Sequence, residues 1–168
     1  SPEGGFEIIT AVPARVESAR ANVRPEKYQA AQVNWERLRT LLADAPLEDT
    51  AGAANPVVLS LPRPDGSWER FAIVESPVME PALAAAFPEI KTFAGQGLDE
   101  KAASVRLDYT PHGFHAQVFT PDGSYYIDPY SFGETGVVTA YWKTDLRAPV
   151  GWMCTTDEGA PPADVPGG

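Results

Sequence analysis

Apolar and polar residues alternate most regularly in the second half of the chain. Two runs rich in aromatic and β-branched residues, residues 114–120 and 124–128, flank the turn sequence Pro121-Asp122-Gly123. Proline presets φ at the first turn position, aspartate bonds its own backbone and glycine accepts a positive φ, so the chain reverses there. A second turn, at residues 110–113, joins residues 105–109 to the first run. The pattern therefore predicts a three-stranded antiparallel meander.

The same turn chemistry recurs earlier in the chain. Pro64-Asp65-Gly66 lies between two more apolar runs, residues 56–62 and 68–75. In the second run, Phe71 and Ile73 lie on the same face, together with the charged residues that precede and follow them at the same spacing. Successive side chains of a strand point to opposite faces, so this face is predicted to be the one that packs on the core. The pattern predicts a second hairpin.

Three shorter apolar runs predict additional strands. They lie at residues 6–9, as an edge strand, and at residues 90–93 and 137–142. Residues 94–97, Ala-Gly-Gln-Gly, follow the second of these runs and are predicted to be a flexible connection because they contain two glycines.

Residues 25–45 show a helical period instead. The apolar residues that recur at spacings of three and four, and so form one stripe on a helix, are Tyr28, Ala31, Trp35, Leu38 and Leu42. Pro25 suits the first helical turn, and Pro46 ends the pattern because the residue before a proline avoids the helical conformation. A second, short helix is predicted at residues 82–87 after Pro81.

Together these elements predict one α+β domain. We expect an antiparallel, curved sheet of about six or seven strands, with the residue 25–45 helix as one main helix packed against it. Residues 1–24 are interpreted as an N-terminal extension or edge strand, residues 25–154 as the single folded domain, and residues 155–168 as a flexible Pro/Gly linker. A chain of 168 residues is long enough to bury a core.

The charge and composition of the chain limit the classes of partner that it is expected to bind. The 13 basic and 23 acidic side chains give a formal net charge of −10, which argues against binding to nucleic acid or to an anionic membrane surface. The balance favours a basic partner instead. No apolar run reaches the roughly 20 residues of a membrane-spanning helix, so we expect no membrane insertion. The chain begins with Ser1-Pro2-Glu3 rather than Met, and we expect that an export signal has been removed.

The usual catalytic and metal-binding motifs are absent from the sequence. It has no Gly-rich phosphate loop, no His-Glu-x-x-His, no paired-cysteine zinc motif and no Gly-x-Ser-x-Gly. The two histidines, His112 and His115, are three residues apart and would point to opposite faces of a strand, so a shared metal is not expected. An enzyme would need Glu75, His115 and Asp128 to converge in one cleft. The sequence favours a chain with no catalytic activity of its own.

Two further sets of residues could bind a partner. The single cysteine, Cys154, follows the last predicted strand; a free cysteine commonly serves as a small buried apolar residue, but its thiolate can also bind a metal. The aromatic side chains Tyr125, Tyr130, Tyr141 and Trp142 could form a binding platform if they were exposed, whereas burial in the core is their more common role. An extracellular ligand- or partner-binding module is therefore an alternative function.

Several segments in order resemble one known family. They are Leu59-Ser60-Leu61-Pro62, Pro64-Asp65-Gly66, Phe71, Glu75-Ser76-Pro77-Val78-Met79-Glu80-Pro81, Pro88-Glu89-Ile90-Lys91-Thr92-Phe93, Gly95-Gln96-Gly97, Arg106-Leu107-Asp108, Thr110-Pro111-His112-Gly113-Phe114-His115-Ala116 and Tyr126-Ile127-Asp128-Pro129-Tyr130. Together they resemble the N-terminal propeptide region of secreted bacterial reprolysin-like zinc metallopeptidases. The resemblance covers roughly residues 30–154, and several blocks in order are more specific than one short motif.

The resemblance implies a non-catalytic prodomain of a secreted zymogen. Such a domain would keep its own downstream zinc metallopeptidase domain latent by protease inhibition and would assist its folding. The isolated chain would carry no cofactor; the zinc would belong to the partner peptidase domain. A catalytic zinc keeps one coordination position open, and related metallopeptidases fill it with a cysteine thiolate. Cys154 is the residue of this chain that could act as such a switch.

Overall fold

Nine antiparallel strands form one continuous sheet in the computed structural model, which describes residues 4–17, 25–131 and 133–146. The strands are β1 (Phe6–Ile9), β2 (Gln29–Val33), β3 (Val57–Pro62), β4 (Trp68–Glu75), β5 (Lys91–Gly97), β6 (Ser104–Thr110), β7 (Gly113–Thr120), β8 (Gly123–Ser131) and β9 (Glu134–Trp142). Three short α-helices accompany them: α1 (Ala14–Glu17), α2 (Trp35–Ala43) and α3 (Pro81–Ala86). Single 3₁₀ turns lie at Ala51–Ala54 and Lys143–Asp145.

The sheet is a long meander that curls until its edges nearly meet. Its spatial order is β1-β2-β9-β8-β7-β6-β5-β4-β3, so the strands from β3 to β9 each pair with the next in sequence, and the two N-terminal strands add beside β9. At the other edge, Gly4 lies so close to β3 that a Cβ there would come within 2.6 Å of the Leu59 side chain and 3.0 Å of the Ser60 carbonyl. The result is a nearly closed, barrel-like sheet, in which little strand edge is left unpaired.

The expectation of an α+β domain with six or seven strands and one main helix is therefore wrong. The fold is mostly β, with nine strands and three short helices among the described residues. The error comes chiefly from residues 25–45, which are not one helix. Gln29–Val33 is a strand that pairs with both β1 and β9, and the helix begins only at Trp35. Ala31 and Val33 are buried because they point into the barrel, not because they lie on a helical stripe.

The start of α2 is fixed by Asn34. Its side-chain oxygen accepts a hydrogen bond from the Arg37 backbone N–H at 3.0 Å, which satisfies one of the N–H groups that the first helical turn leaves unpaired. Leu38 and Leu42 then face the core and are buried, as their spacing predicts. The Trp35 indole donates to the Thr135 carbonyl at 2.9 Å, so α2 is anchored where β9 begins.

Residues 94–97 are strand rather than flexible connection. β5 runs through Gly97, paired with β4 on one side and β6 on the other. A Cβ at Gly95 would lie 2.5 Å from the Ile73 side chain and 2.8 Å from that of Val105. Glycine is needed here because large neighbouring side chains fill the barrel interior above it.

The barrel interior is filled mainly by apolar side chains. The rings of Phe6 and Phe114 pack edge to face across it, with centroids 5.1 Å apart. Phe71 and Ile73, from the face of β4 that the sequence assigned to the core, are fully buried. Among the described residues no helix combines the length and apolar character that a membrane crossing needs. The proposed linker, residues 155–168, lies outside the described residues.

Candidate functional site

His115 and Asp128 meet on the outer face of the sheet. Their neighbours Phe114, Ala116 and Ile127 point inward and are buried, so the alternation along β7 and β8 turns the imidazole and the carboxylate outward. His115 Nδ1 lies 2.8 Å from Asp128 Oδ1. The hydrogen bond to Asp128 is the main reason that the pKa of His115 is raised above its usual value of 6.5.

Tyr141 completes this group from β9. Its hydroxyl donates to Asp128 Oδ2 at 2.5 Å, so each carboxylate oxygen of Asp128 accepts one hydrogen bond. Burial, followed by the hydrogen bond to Asp128, raises the pKa of the Tyr141 hydroxyl, which therefore stays protonated and acts as a donor. A histidine and a tyrosine thus hold the Asp128 carboxylate.

Asp108 extends the group along β6. It is the direct cross-strand partner of His115 and is half-buried on the same face. Burial raises the pKa of the Asp108 carboxyl, and the neighbouring His115 opposes that rise. No hydrogen bond to the Asp108 carboxylate occurs within the described ranges. Asp108 was not among the site residues predicted from the sequence.

A cleft of about 420 Å³ opens over these side chains. Its floor is the outer face of β6 to β8, and one wall is the chain that follows β4, with Ser76 and Val78. The twelve described residues that line it are Ser76, Val78, Thr92, Phe93, Arg106, Leu107, Asp108, His115, Ala116, Gln117, Tyr126 and Asp128. The wall is fixed to β5 because the Ser76 N–H donates to the Thr92 carbonyl at 3.0 Å and the Thr92 hydroxyl donates to the Ser76 carbonyl at 2.7 Å.

Glu75 does not join this cleft. Its carboxylate pairs with Lys91 Nζ at 3.2 Å, and it is not among the lining residues. Of the three residues that an enzyme would need to bring together, the structure therefore joins His115 and Asp128 only. His112 lies apart in the exposed turn between β6 and β7. In the part of the chain that the structure describes, no three His, Cys, Asp or Glu side chains are grouped to hold a metal.

The four aromatic side chains of the alternative function do not share a surface. Tyr125 is fully buried inside the barrel, and the Trp142 ring packs edge to face against it at 5.4 Å. Tyr130 and Tyr141 belong to the outer face, where Tyr141 is 2 % exposed and bonded to Asp128, and Tyr130 packs on Tyr28. A platform made of all four is therefore not formed. Cys154, the expected zinc ligand in trans, lies outside the described residues.

A second charged group lies inside the barrel. Glu69 is 2 % exposed, and its Oε1 accepts from Arg63 Nη1 at 2.9 Å and from the Tyr125 hydroxyl at 2.8 Å. Burial, followed by the charge of Glu69, raises the pKa of Tyr125 strongly, so the hydroxyl remains a donor. The signal for this group was present in the sequence. Glu69 has the same strand parity as Phe71 and Ile73, so it had to enter the core with them.

The outer cleft is suited to recognition by charge and hydrogen bonding. It combines carboxylates, an imidazole and Arg106 with the apolar side chain of Val78. Because Asp128 holds Nδ1 of His115, Nε2 is the ring nitrogen left to meet a ligand. Comparison with protein-family models, with curated proteins and with solved structures finds no match to this chain.

Proposed function

We propose that this domain is the non-catalytic prodomain of a secreted reprolysin-like zinc metallopeptidase, which keeps the peptidase domain latent and assists its folding. The observation that supports the proposal is where the family-like segments meet. Of the twelve described residues that line the outer cleft, eleven belong to the segments that carry the resemblance, and Gln117 alone does not. Segments far apart in the chain thus converge on one surface.

Such convergence fits a recognition surface better than a purely structural role. The interior of the barrel is filled mainly by apolar side chains, so a partner would be met on the outside. The cleft offers the charged and polar groups that fix the orientation of a bound protein, and the curled sheet holds them rigidly. A prodomain requires such a rigid surface, complementary to its own peptidase domain.

In this proposal the zinc ion belongs to the partner peptidase domain. Cys154 would supply a thiolate to the fourth coordination position of the catalytic zinc, so that no water is activated there. The thiolate form is the metal ligand, and the metal itself stabilises it. Latency that depends on surface recognition alone would survive loss of the cysteine, so the two contributions can be measured separately.

The test begins with the reading frame downstream and ends with an activity assay. The peptidase domain encoded there is produced alone, and its cleavage of a fluorogenic peptide is followed as the 168-residue chain is added. We expect dose-dependent inhibition, weakened in the Cys154→Ala chain. Equal inhibition by both chains would remove the cysteine switch but keep the prodomain. A downstream frame without a zinc peptidase, or a peptidase that the chain leaves fully active, would overturn the proposal in favour of another extracellular binding module.

A further inference from the structure

A set of exposed apolar side chains, here called the apolar ridge, lies on the segment that begins at the wall of the outer cleft. It consists of Val78, Leu83 and Phe87, which are 72 %, 48 % and 43 % exposed. Val78 also lines the cleft, and Leu83 and Phe87 lie four residues apart, on the same side of α3 and its C-terminal cap. α3 contributes no buried residue to the fold. A helix that packs so little of its surface on its own domain, and that carries large apolar side chains, is typical of a protein interface.

Acidic side chains outnumber basic ones around this ridge, although the cleft also contains Arg106 and His115. Glu80 and Glu89, in the same segment, are exposed, and the cleft beside it contains Asp108 and Asp128. The two oxygens of Asp128 already accept from His115 and Tyr141. Asp108 differs, because its half-buried carboxylate accepts no hydrogen bond from any described residue. A carboxylate that has lost part of its water shell without gaining a donor favours a cationic ligand.

We propose that the ridge and the cleft form one docking surface for a segment of the partner peptidase that carries a lysine or arginine side chain, and that Asp108 accepts this side chain. The inference rests on the proposed function and names the chemistry of the partner. The apolar ridge would contact the neighbouring apolar residues of that segment. Charge complementarity supports a basic occupant, since the chain carries a net charge of −10 and the Asp108 carboxylate in its cleft accepts no hydrogen bond from a described residue.

Binding of the basic side chain at Asp108 should depend on the protonation state of His115. The charged and titratable groups that line the same cleft around it are Arg106, Asp108, Tyr126 and Asp128. A cation bound at Asp108 stands next to the imidazole and disfavours its protonated form. Binding should therefore release a proton from His115 and tighten as pH rises through the pKa of that residue.

Matched variants test the surface in the full chain. Asp108→Asn removes the accepting charge, and Asp122→Asn makes the same change in the exposed turn between β7 and β8. Leu83→Asp disrupts the ridge, and Leu146→Asp changes an equally apolar residue of similar exposure, 41 %, near the end of β9. For the peptidase domain we expect the first member of each pair to weaken binding about tenfold, and the second member to leave it within about twofold.

Folding is checked by thermal melting of each variant. Asp108→Asn should melt at the same temperature as the parent chain or higher, because it removes a carboxylate whose charged form is disfavoured by burial. Weaker binding together with unchanged or higher stability would identify Asp108 as a binding residue. Equal binding by Asp108→Asn and Asp122→Asn, while the parent chain inhibits the peptidase, would overturn this inference and leave the prodomain function intact.

A tetra-arginine peptide tests the proposed site at Asp108 separately from the proposed peptidase partner. Titrated into the labelled chain and followed by NMR, it should shift the signals of Asp108, His115 and Tyr126 and lower the pKa of His115. The Asp108→Asn chain should lose these shifts, and the Asp122→Asn chain should keep them. Localised shifts in a chain that fails to bind the peptidase would support the site and overturn the prodomain. Shifts spread over the acidic surface, with no preference for the cleft, would overturn the site itself.

Discussion

Two carboxylates of this barrel are held by the same kinds of partner, one inside and one outside. Glu69 accepts from a tyrosine hydroxyl and an arginine within the core, where it is 2 % exposed. Asp128 accepts from a tyrosine hydroxyl and a histidine on the outer face, where its side chain is 19 % exposed and that of the histidine 38 %. The two groups differ mainly in the cation and in access to water.

Because of this difference, we expect the Glu69 group to be structural and the charge of the Asp128 group to change with pH. Arginine stays charged at every physiological pH, and the guanidinium of Arg63 also lies 5.7 Å from the centroids of both the Tyr125 and the Trp142 rings. Histidine changes charge near neutral pH, and its raised pKa places that change where the outer cleft can use it. The interior group should therefore control stability, and the outer group should control recognition.

The largest effect is expected from Arg63→Met. This substitution leaves Glu69 buried without its cation, and breaking a buried ion pair on one side costs about 3–5 kcal/mol of unfolding free energy. Urea unfolding at neutral pH measures the loss. Arg70→Met is the matched control, because the Arg70–Asp99 pair is exposed, with 57 % and 41 % of the two side chains accessible, and exposed pairs contribute less than about 1 kcal/mol. Equal losses in the two variants would refute the structural role of the interior group.

A smaller difference is expected between Tyr125→Phe and Tyr141→Phe. Each removes one hydroxyl that donates to a carboxylate, Glu69 or Asp128. Hydrogen bonds to charged groups contribute about 1.5–3 kcal/mol, and we expect the interior substitution to approach the upper value. Water can replace the lost donor more easily at Asp128, so Tyr141→Phe should cost less. The same urea experiment ranks the two, and a larger loss for Tyr141→Phe would contradict the comparison.

The outer group could have been located from turn chemistry alone. The turn after β7 pairs Thr120 with Gly123, and counting five residues back along β7 and five forward along β8 places His115 opposite Asp128. The turn after β6 pairs Thr110 with Gly113, and two more steps on each strand bring Asp108 opposite His115. Local turn signals thus determined the register, and register determined the site.

The interior group and the barrel itself depend on long-range geometry. Tyr125 reaches Glu69 from 56 residues away because the sheet curls, and strand patterns do not reveal how far a sheet curls. Strand β2 was missed for the same reason. Ala30 and Ala31 favour a helix by intrinsic propensity, and pairing with Thr139 and Val138, more than 100 residues later, overrides that preference. Asn34, a strong helix N-cap, was the local signal that separated strand from helix.

The smallest effect expected is the pH dependence that His115 gives to stability. Its folded-state pKa is raised, so its stabilising contribution is fully present below the unfolded pKa of about 6.5 and is lost as pH rises through the folded value. Because the ring is partly exposed, the loss should stay below about 1 kcal/mol. Unfolding free energies measured between slightly acidic and slightly basic pH should show this decline in the parent chain and not in His115→Gln.

Asp128→Asn should lower the pKa of His115 measured by NMR. If the pKa of His115 were unchanged in Asp128→Asn, Asp128 would not be the group that raises the pKa of this histidine, and the contrast with the buried Arg63–Glu69 pair would lose its basis.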